Sequence, residues 1–321
     1  MVVLDTAKGV LFLYGQSWLR PGAGASTGVI DLPVQREVHT DYPMIPASSV
    51  KGSLRETAEG TVSQDVVDGL FGPEVYRPAA GEPRSKERHF AGALTVGDAK
   101  LILFPVRSLT RSFFWVTSPL AIARFLRDLK TVGINPGWDG PCNVDGARAL
   151  VPQECKTSSR LYLEEMDFEP QKDPAVSAIA QFLAEKFDAS IIGAAFNEKL
   201  KSDIAVLSDD EFAYFVRYAT QVSARTQLTS NKTTDKTIGP DGKIEQGNLW
   251  YEETLPPETV FYIPLMASAA KGGGAQDQLS TGNAVMDKLD REVLANHFIQ
   301  LGGNETLGHG WCAAFLVRGD R

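Results

Sequence analysis

One acidic side chain, followed by a cluster of hydroxyl and basic side chains, is the part of this sequence best suited to chemistry. Asp31 lies in the Gly/Ala-rich stretch PGAGASTGVIDLPVQRE, and SSVKGSLR follows it. A helix beginning there would present free backbone N–H groups and a favourable dipole to a phosphate. The side chains near that helix start are Ser48, Ser49, Lys51 and Arg55. A carboxylate beside a bound phosphate could hold a hydrated divalent ion or accept a proton from a 2′-hydroxyl.

Each of these features also has an ordinary structural interpretation. A loop aspartate usually caps a turn or is simply hydrated, and Ser48 could be a helix cap. Lys51 and Arg55 are four residues apart and share a helix face, which would suit either a phosphate run or a solvated surface. The residues alone leave both interpretations open.

A glycine-rich segment near the end of the chain, LGGNETLGHGW, is a second candidate. Gly303 and Gly308 have the spacing of a nucleotide-binding P-loop, but His309 stands where that motif requires lysine. The segment also follows a predicted helix and precedes a strand, which reverses the P-loop order. Two interpretations of Gly302, Gly303, Gly308 and His309 remain: a tight turn, or a backbone surface that phosphates can approach.

A polar segment, residues 221–259, predicts a long β-hairpin arm. Thr, Val, Ile, Leu, Trp and Tyr residues flank a turn signal, Gly-Pro-Asp-Gly, at 239–242. The basic side chains of this arm are Arg225, Lys232, Lys236 and Lys243. By itself the arm could serve in oligomerisation or be a plain exposed hairpin. Glu253 lies at its base and could help Asp31.

The remaining elements predict an α+β fold. Apolar runs predict strands at 10–14, 94–106, 113–117 and 312–317, and helical spacing predicts helices at 48–59 and 282–299. Residues 119–220 contain several helical patterns, which predict a helical insertion. Without the insertions, the order is β-α-β-β-α-β, a ferredoxin-like (RRM-like) core that carries the insertion and the protruding hairpin.

Composition limits the function classes. The 321 residues have a net charge of −8 and 43% hydrophobic residues, so a large core can form but the surface as a whole is not basic. Three cysteines without a CxxC pair argue against a disulfide framework or a zinc knuckle. The four histidines have no metal-ligand spacing. No signal peptide or membrane-spanning run is found, so a cytoplasmic protein without a membrane partner is expected.

Four stretches carry a resemblance to a known family. GVIDLPVQRE, IPASSVKGSLR, NLWYEETLPPET and the segment 301–317 resemble the RAMP superfamily of CRISPR proteins. Within it, they look like the RNA-cleaving backbone subunits of the type III-B effector, the Cmr complex. The resemblance implies one RAMP domain: a palm (1–118 and 260–321), the insertion (119–220) and a thumb hairpin (221–259).

The resemblance also implies an activity and partners. Asp31 corresponds to the essential nuclease aspartate and to a ligand for Mg²⁺ or Mn²⁺, while the helix at Ser48 and the glycine-rich loop hold the guide RNA backbone. The thumb wedges between stacked bases of the guide–target duplex. Copies of the chain would stack in a filament with other effector subunits, and each copy would cleave the complementary single-stranded target RNA at regular intervals.

Two other functions remain compatible with the sequence. The chain could be a scaffold that binds guide RNA without cleaving the target. It could also be a stand-alone RRM-like module, although the aromatic signature of RRM domains is absent.

Overall fold

A computed structural model describes residues 6–74, 90–140, 144–157, 159–228, 230–232 and 249–320. The predicted arm residues Lys236 and Lys243 lie outside these ranges.

Groups of strands and groups of helices follow one another along the described chain. The strands are β1 (Ala7–Gly15), β2 (Met44–Ile45), β3 (Leu94–Val96), β4 (Ala99–Ser108), β5 (Ser112–Thr117), β6 (Arg148–Val151), β7 (Leu161–Leu163), β8 (Met166–Lys172), β9 (Ile204–Val206), β10 (Gln221–Thr226), β11 (Leu249–Thr254), β12 (Val260–Ala267), β13 (Phe298–Gln300) and β14 (Trp311–Arg318). The helices are α1 (Ala47–Glu59), α2 (Gln64–Phe71), α3 (Pro119–Thr131), α4 (Pro174–Lys186), α5 (Ala189–Ile192), α6 (Ala194–Ser202), α7 (Asp209–Tyr218) and α8 (Gly282–Lys288).

Strand β1 lies between β12 and β14 and pairs antiparallel with both. Its side chains alternate between two separate hydrophobic clusters, with Leu11 and Leu13 in one and Val10, Phe12 and Tyr14 in the other. The first cluster also contains the buried faces of α1, α2 and α8, and the second contains those of α3 and α4. Burial on both faces explains why β1 is a continuous apolar run instead of an alternating one.

The sheet continues from β1 into a barrel-like ring. Its order is β13-β14-β1-β12-β4-β5-β9-β6-β8-β7, and Ser108 of β4 also pairs with Leu163 of β7. The strands β4, β5, β9, β6, β8 and β7 therefore close on themselves. The prediction of a mixed fold with α and β elements is confirmed, whereas its ferredoxin-like detail is not.

Two elements differ from the prediction. The segment 113–117 was expected in the core sheet, but β5 lies in the ring beside the parallel strand β9, and β12 takes the place next to β1. The predicted helix 282–299 ends early: α8 continues only through a π-helical turn, Leu289–Val293. His297 then adopts a φ of 50° and turns the chain into β13, which right-handed helical backbone cannot do.

The segment 119–220, expected to be helical, also contains the strands β6 to β9. The predicted capping box at α7 is present, because the Ser208 side chain and the Glu211 side chain each bond the other residue's backbone N–H. The arm begins as predicted with a separate two-stranded ribbon, in which Gln221 pairs with Thr254 and Thr226 with Leu249. No helix in the described ranges combines the length and the apolar character needed to cross a membrane.

A half-buried acid closes the turn between β11 and β12. Glu258 adopts a φ of 71°, and its carboxylate accepts a hydrogen bond from the Tyr14 hydroxyl. Its backbone oxygen accepts a 2.7 Å hydrogen bond from Trp115 Nε1. Burial raises the pKa of the Glu258 carboxyl to about 7. The folded state therefore favours the protonated acid.

This raised pKa predicts a pH-dependent stability. The folded chain holds the Glu258 proton between pH 4.5 and about 7, where the unfolded chain has lost it. Stability from this group is therefore complete below pH 4.5 and is lost as the pH rises towards 7. We expect Glu258→Gln, which stays neutral, to be more stable than the wild type at pH 8 by on the order of 2 kcal/mol, and to lose this advantage at pH 5.

Urea unfolding at pH 5 and pH 8 measures this difference. Glu56→Gln, a change at an exposed position of α1, is the matched control and should follow the wild type at both pH values. Equal stability of Glu258→Gln and the wild type at pH 8 would contradict the buried-acid assignment.

Candidate functional site

Asp31 lies near the tip of an ordered loop, residues 21–35, called the Asp31 loop below. Its two arms are joined by backbone hydrogen bonds, from Ala23 N–H to the Pro33 oxygen (3.1 Å) and from Gln35 N–H to the Pro21 oxygen (2.6 Å). Gly22 and Val34 form an antiparallel bridge between the same arms. The two arms therefore form a short hairpin that fixes the region around Asp31.

The Asp31 carboxylate is bonded to the base of the thumb. Its Oδ2 atom accepts a 2.7 Å hydrogen bond from the backbone N–H of Tyr251 in β11. Leu32 N–H donates to the Tyr251 oxygen at 3.0 Å, and Glu253 N–H donates to the Leu32 oxygen at 3.1 Å. The loop thus pairs in parallel with β11. Within the described ranges, the Asp31 Oδ1 atom has no hydrogen-bond partner, so one oxygen remains available for a ligand.

Glu253 is buried, and both its carboxylate oxygens are bonded to the protein. Oε1 accepts hydrogen bonds from Arg36 (2.5 Å) and Thr220 (2.9 Å), and Oε2 accepts one from the Val34 N–H (2.9 Å). The sequence suggested that Glu253 could help Asp31 in chemistry. Its geometry instead suits a residue that positions the loop.

The start of α1 already has an acidic partner from the protein. The Ala47 N–H donates a 2.8 Å hydrogen bond to the Asp98 carboxylate, which occupies part of the position predicted for a phosphate. Ser48 and Ser49 are exposed, and no side chain of the described ranges caps the helix. Because both hydroxyls are exposed, an RNA backbone could contact them. The Asp98 carboxylate, however, already occupies one of the backbone N–H groups that the sequence predicted to be free.

Lys51 and Arg55 differ in what they can contact. Arg55 donates to the Gly72 oxygen (2.6 Å) and pairs with Glu59 (2.9 Å) and Asp68 (3.5 Å), which ties α1 to the end of α2. Lys51 is half-buried and forms no ion pair in the described part of the chain. That both side chains contact one phosphate run stays a prediction, and in this structure the Arg55 guanidinium is already engaged within the protein.

The glycine-rich loop is in close contact with the beginning of the Asp31 loop. Gly303 N–H donates to the Arg20 oxygen at 3.0 Å. Gly302 has a φ of 86°, and a Cβ atom there would lie 2.5 Å from the same oxygen, so only glycine fits. In the part of the chain that the structure describes, no atom beyond the neighbouring residues lies within 4 Å of the Cβ position at Gly308. The tight-turn interpretation therefore holds at Gly302, and an approach by phosphate remains open at Gly308.

His309 lies half-buried beside three charged side chains. Burial lowers the pKa of its imidazole, and the nearby positive charges of Arg225 and Arg20 lower it further. Its Nδ1 atom is buried and has no hydrogen-bond partner among the described residues. The neutral ring is therefore favoured at neutral pH.

The basic side chains of the thumb ribbon, the pair of strands β10 and β11, differ in their surroundings. Arg225 pairs with the buried Glu252 at 3.1 Å, so this predicted RNA contact is used within the protein. Lys232 is exposed just beyond the ribbon. The opposite face of the ribbon carries exposed apolar side chains, Val222, Leu249 and Tyr251.

Sequence reasoning missed three charged residues of this site, Arg20, Arg36 and Glu252. Arg20 Nε lies 2.7 Å from Glu252 Oε1, and Arg36 pairs with Glu253. The available signal was the pair of consecutive glutamates that follows three apolar and aromatic residues in β11. Acidic residues are rarely buried without partners, so this pair indicated that basic partners lie nearby.

Comparisons with known proteins agree with this architecture. Residues 15–313 match the RAMP superfamily. The chain is 33% identical over 310 residues to the CRISPR system Cmr endoribonuclease Cmr4 of Pyrococcus furiosus, covering 95% of this chain and 94% of that protein. The crystal structure of oligomeric Cmr4 from Pyrococcus furiosus is similar with a TM-score of 0.67 and 27% identity, covering 98% of this chain and 99% of that one.

A larger assembly contains a chain of the same fold. The cryo-EM structure of the type III-B Cmr-beta complex bound to cognate target RNA matches with a TM-score of 0.67 and 19% identity, covering 96% of each chain. At this identity the likeness concerns the fold alone.

The different environments of Lys51 and Arg55 predict different effects of their removal. Lys51→Ala should weaken RNA binding equally for all sequences and reduce the salt dependence by about one phosphate contact. Arg55→Ala should chiefly lower the free energy of unfolding, by about 2 kcal/mol, because its bonds join α1 and α2. Binding titrations at several salt concentrations and thermal unfolding of both variants separate these effects. Equal losses of RNA affinity without loss of stability would show that Arg55 is released to the RNA.

Proposed function

The chain belongs to the RAMP superfamily, and from this premise we propose that it is the backbone subunit of a type III-B CRISPR effector. In this role it binds guide RNA and cleaves complementary target RNA at regular intervals. The observation that carries the proposal is the attachment of the Asp31 carboxylate to the thumb strand, with one oxygen bonded and one available. A carboxylate held in this way is preorganised for a single proton transfer or a single ligand bond.

The proposed reaction is an attack of the target 2′-oxygen on its own 3′-phosphate. A bond forms between O2′ and phosphorus, the bond from phosphorus to the 5′-oxygen breaks, and that oxygen leaves with a proton from water. The products are a 2′,3′-cyclic phosphate and a 5′-hydroxyl. Asp31 would accept the 2′-hydroxyl proton or hold the ion beside it. Regular A-form RNA keeps this oxygen out of line, so the target backbone must be bent first.

The thumb ribbon supplies a surface for that bending. Val222, Leu249 and Tyr251 are exposed on one face, and the Tyr251 backbone bonds Asp31. An aromatic and aliphatic face can receive a displaced base without reading its identity. Base pairing with the guide then selects the target, and the protein contacts only backbone and shape.

The donor set around Asp31 suits a weakly held divalent cation. In the described ranges, no group of three or more His, Cys, Asp or Glu side chains could enclose a metal ion. Mg²⁺ is commonly held by one or two carboxylates, phosphate oxygens and water, and Asp31 could supply the single carboxylate. When bound, Mg²⁺ or Mn²⁺ would offset the charge that develops on the phosphate.

Copies of the same chain would assemble side by side in this role. The similar Pyrococcus protein has been crystallised as an oligomer, and regular cleavage intervals require regularly spaced active loops. Several copies stacked along one guide RNA, with other effector subunits, would provide that spacing.

Replacing Asp31 tests the proposal in a reconstituted effector complex. Asp31→Asn keeps an oxygen that can accept the Tyr251 N–H bond but removes the charge. We expect target cleavage to fall at least about 100-fold, with guide and target binding unchanged, because general acid–base groups contribute rate factors of this order. Single-turnover cleavage and target affinity are measured on the same preparation.

Asp139→Asn, which changes an exposed loop carboxylate, should leave both quantities at the wild-type level. If Asp31→Asn cuts at the wild-type rate, the chain is a binding scaffold in the complex and the catalytic group lies elsewhere.

A further inference from the structure

We infer that three consecutive residues of the thumb strand clamp the Asp31 loop at its tip, its entry and its exit, so that the thumb sets the position of Asp31. The three thumb residues are Tyr251, Glu252 and Glu253. The clamp is a feature of the folded chain, and its effect on cleavage rests on the proposed function. On the loop side of this clamp, Arg20 and Arg36 are the residues that position the Asp31 loop.

The entry of the loop is held by Glu252. Arg20 immediately precedes the loop, and its Nε atom lies 2.7 Å from Glu252 Oε1. The second oxygen of Glu252 accepts a 3.1 Å hydrogen bond from Arg225 of the neighbouring strand β10. The Glu252 side chain is only 5% exposed. One buried carboxylate therefore joins the loop entry to both strands of the thumb ribbon.

The exit of the loop is held by Glu253. Arg36 immediately follows the loop, and its Nη2 atom donates to Glu253 Oε1 at 2.5 Å. Its Nη1 atom donates to the backbone oxygens of Asp41 (3.0 Å) and Val216 (2.9 Å). Glu253 also accepts the Val34 N–H from inside the loop. The exit is therefore tied to the thumb strand and to the end of α7 together.

Strand geometry makes this arrangement possible. Adjacent strand residues point to opposite faces, so Glu252 and Glu253 reach the two sides of β11 and can hold the two ends of one loop. Both carboxylates are buried, and a buried charge is stable only with close partners. Release of the loop would therefore break two ion pairs, leaving Glu252 with Arg225 and Glu253 with the Thr220 hydroxyl as their remaining partners.

This arrangement has a mechanical consequence. The backbone of Tyr251 holds the Asp31 carboxylate, and the same residue contributes to the exposed apolar face of the thumb. A base that packs against that face would therefore shift β11, the strand to which the Asp31 loop is bonded. The position of Asp31 thus depends on where the thumb is held by its RNA.

The test removes one half of the clamp without leaving a buried charge. The double variant Arg36→Met with Glu253→Met replaces both partners by apolar side chains, which folded proteins often tolerate. The matched control is Arg107→Met with Glu164→Met, which removes an arginine–glutamate pair of 2.9 Å at the surface. Hydrogen exchange of peptides covering residues 21–35, saturating single-turnover cleavage and target affinity are measured in the assembled complex.

We expect loop amides in the clamp variant to exchange about tenfold faster or more, and saturating cleavage to slow by about tenfold to a hundredfold. Target affinity and the control variant should match the wild type. If the double variant does not fold, Arg36→Lys provides the second test. It keeps the charge but cannot make all three Arg36 bonds, so smaller changes in the same direction are expected.

Unchanged exchange in the loop would overturn the clamp. Faster exchange with unchanged cleavage, in a complex that Asp31→Asn inactivates, would overturn the positioning role. Faster exchange with unchanged cleavage, in a complex that Asp31→Asn does not inactivate, would instead leave the clamp standing and reject the proposed function.

Discussion

Burial of both faces of β1 is the constraint on which the rest of the structure depends. Since β12 and β14 run antiparallel to β1, the end of β1 lies beside the beginnings of both neighbours. The chain leaves β1 at Gly15 into the Asp31 loop, reaches β12 from the thumb, and reaches β14 from the glycine-rich loop. Hydrogen bonds from Gly15 to Thr259 (2.9 Å) and from Gln16 to Trp311 (2.7 Å) fix this meeting point. Three segments far apart in sequence therefore share one edge of the sheet.

At that edge, ion-paired polar side chains hold the segments together, as apolar side chains do in the core. Glu252 and Glu253 are almost completely enclosed, yet they lie at the base of an exposed ribbon. Apolar side chains in their place would hold the ribbon only loosely, because apolar contacts have no preferred direction. The hydrogen bonds from Arg36 and Arg225 to these buried carboxylates fix distance and angle together, and Arg20 adds an ion pair to Glu252. The edge thus gains a defined geometry where the Asp31 loop meets a protruding hairpin.

Local patterns predicted the local elements well. The strand at 10–14, the helix at 48–59 and the capping box at Ser208 each depend on residues within one turn or one strand, and all are present. Pairings across long separations could not be read in this way. The sequence placed 113–117 in the core sheet because it follows the previous strand closely, whereas β12 arrives only after the whole insertion. The partners of the clamp, such as Arg20 and Glu252, are likewise separated by most of the chain. The roles of Asp31 and the glycine-rich loop came from resemblance, not from spacing.

The pairing of these charges also bears on how an acidic chain can bind RNA. Arg20, Arg36, Arg55 and Arg225 all form ion pairs with carboxylates of the same chain. These four charges are therefore largely neutralised within the protein, whereas Lys51 of α1 forms no ion pair in the described ranges. Affinity for a nucleic acid backbone grows with the number of phosphates neutralised, so one such subunit would bind RNA weakly. Repetition of the subunit along one RNA multiplies these weak contacts, since each further contact is made at high effective concentration. An acidic subunit whose arginines around the Asp31 loop and α1 are paired within the chain would therefore suit the proposed repeating assembly, in which tight binding would belong to the filament and not to a single copy.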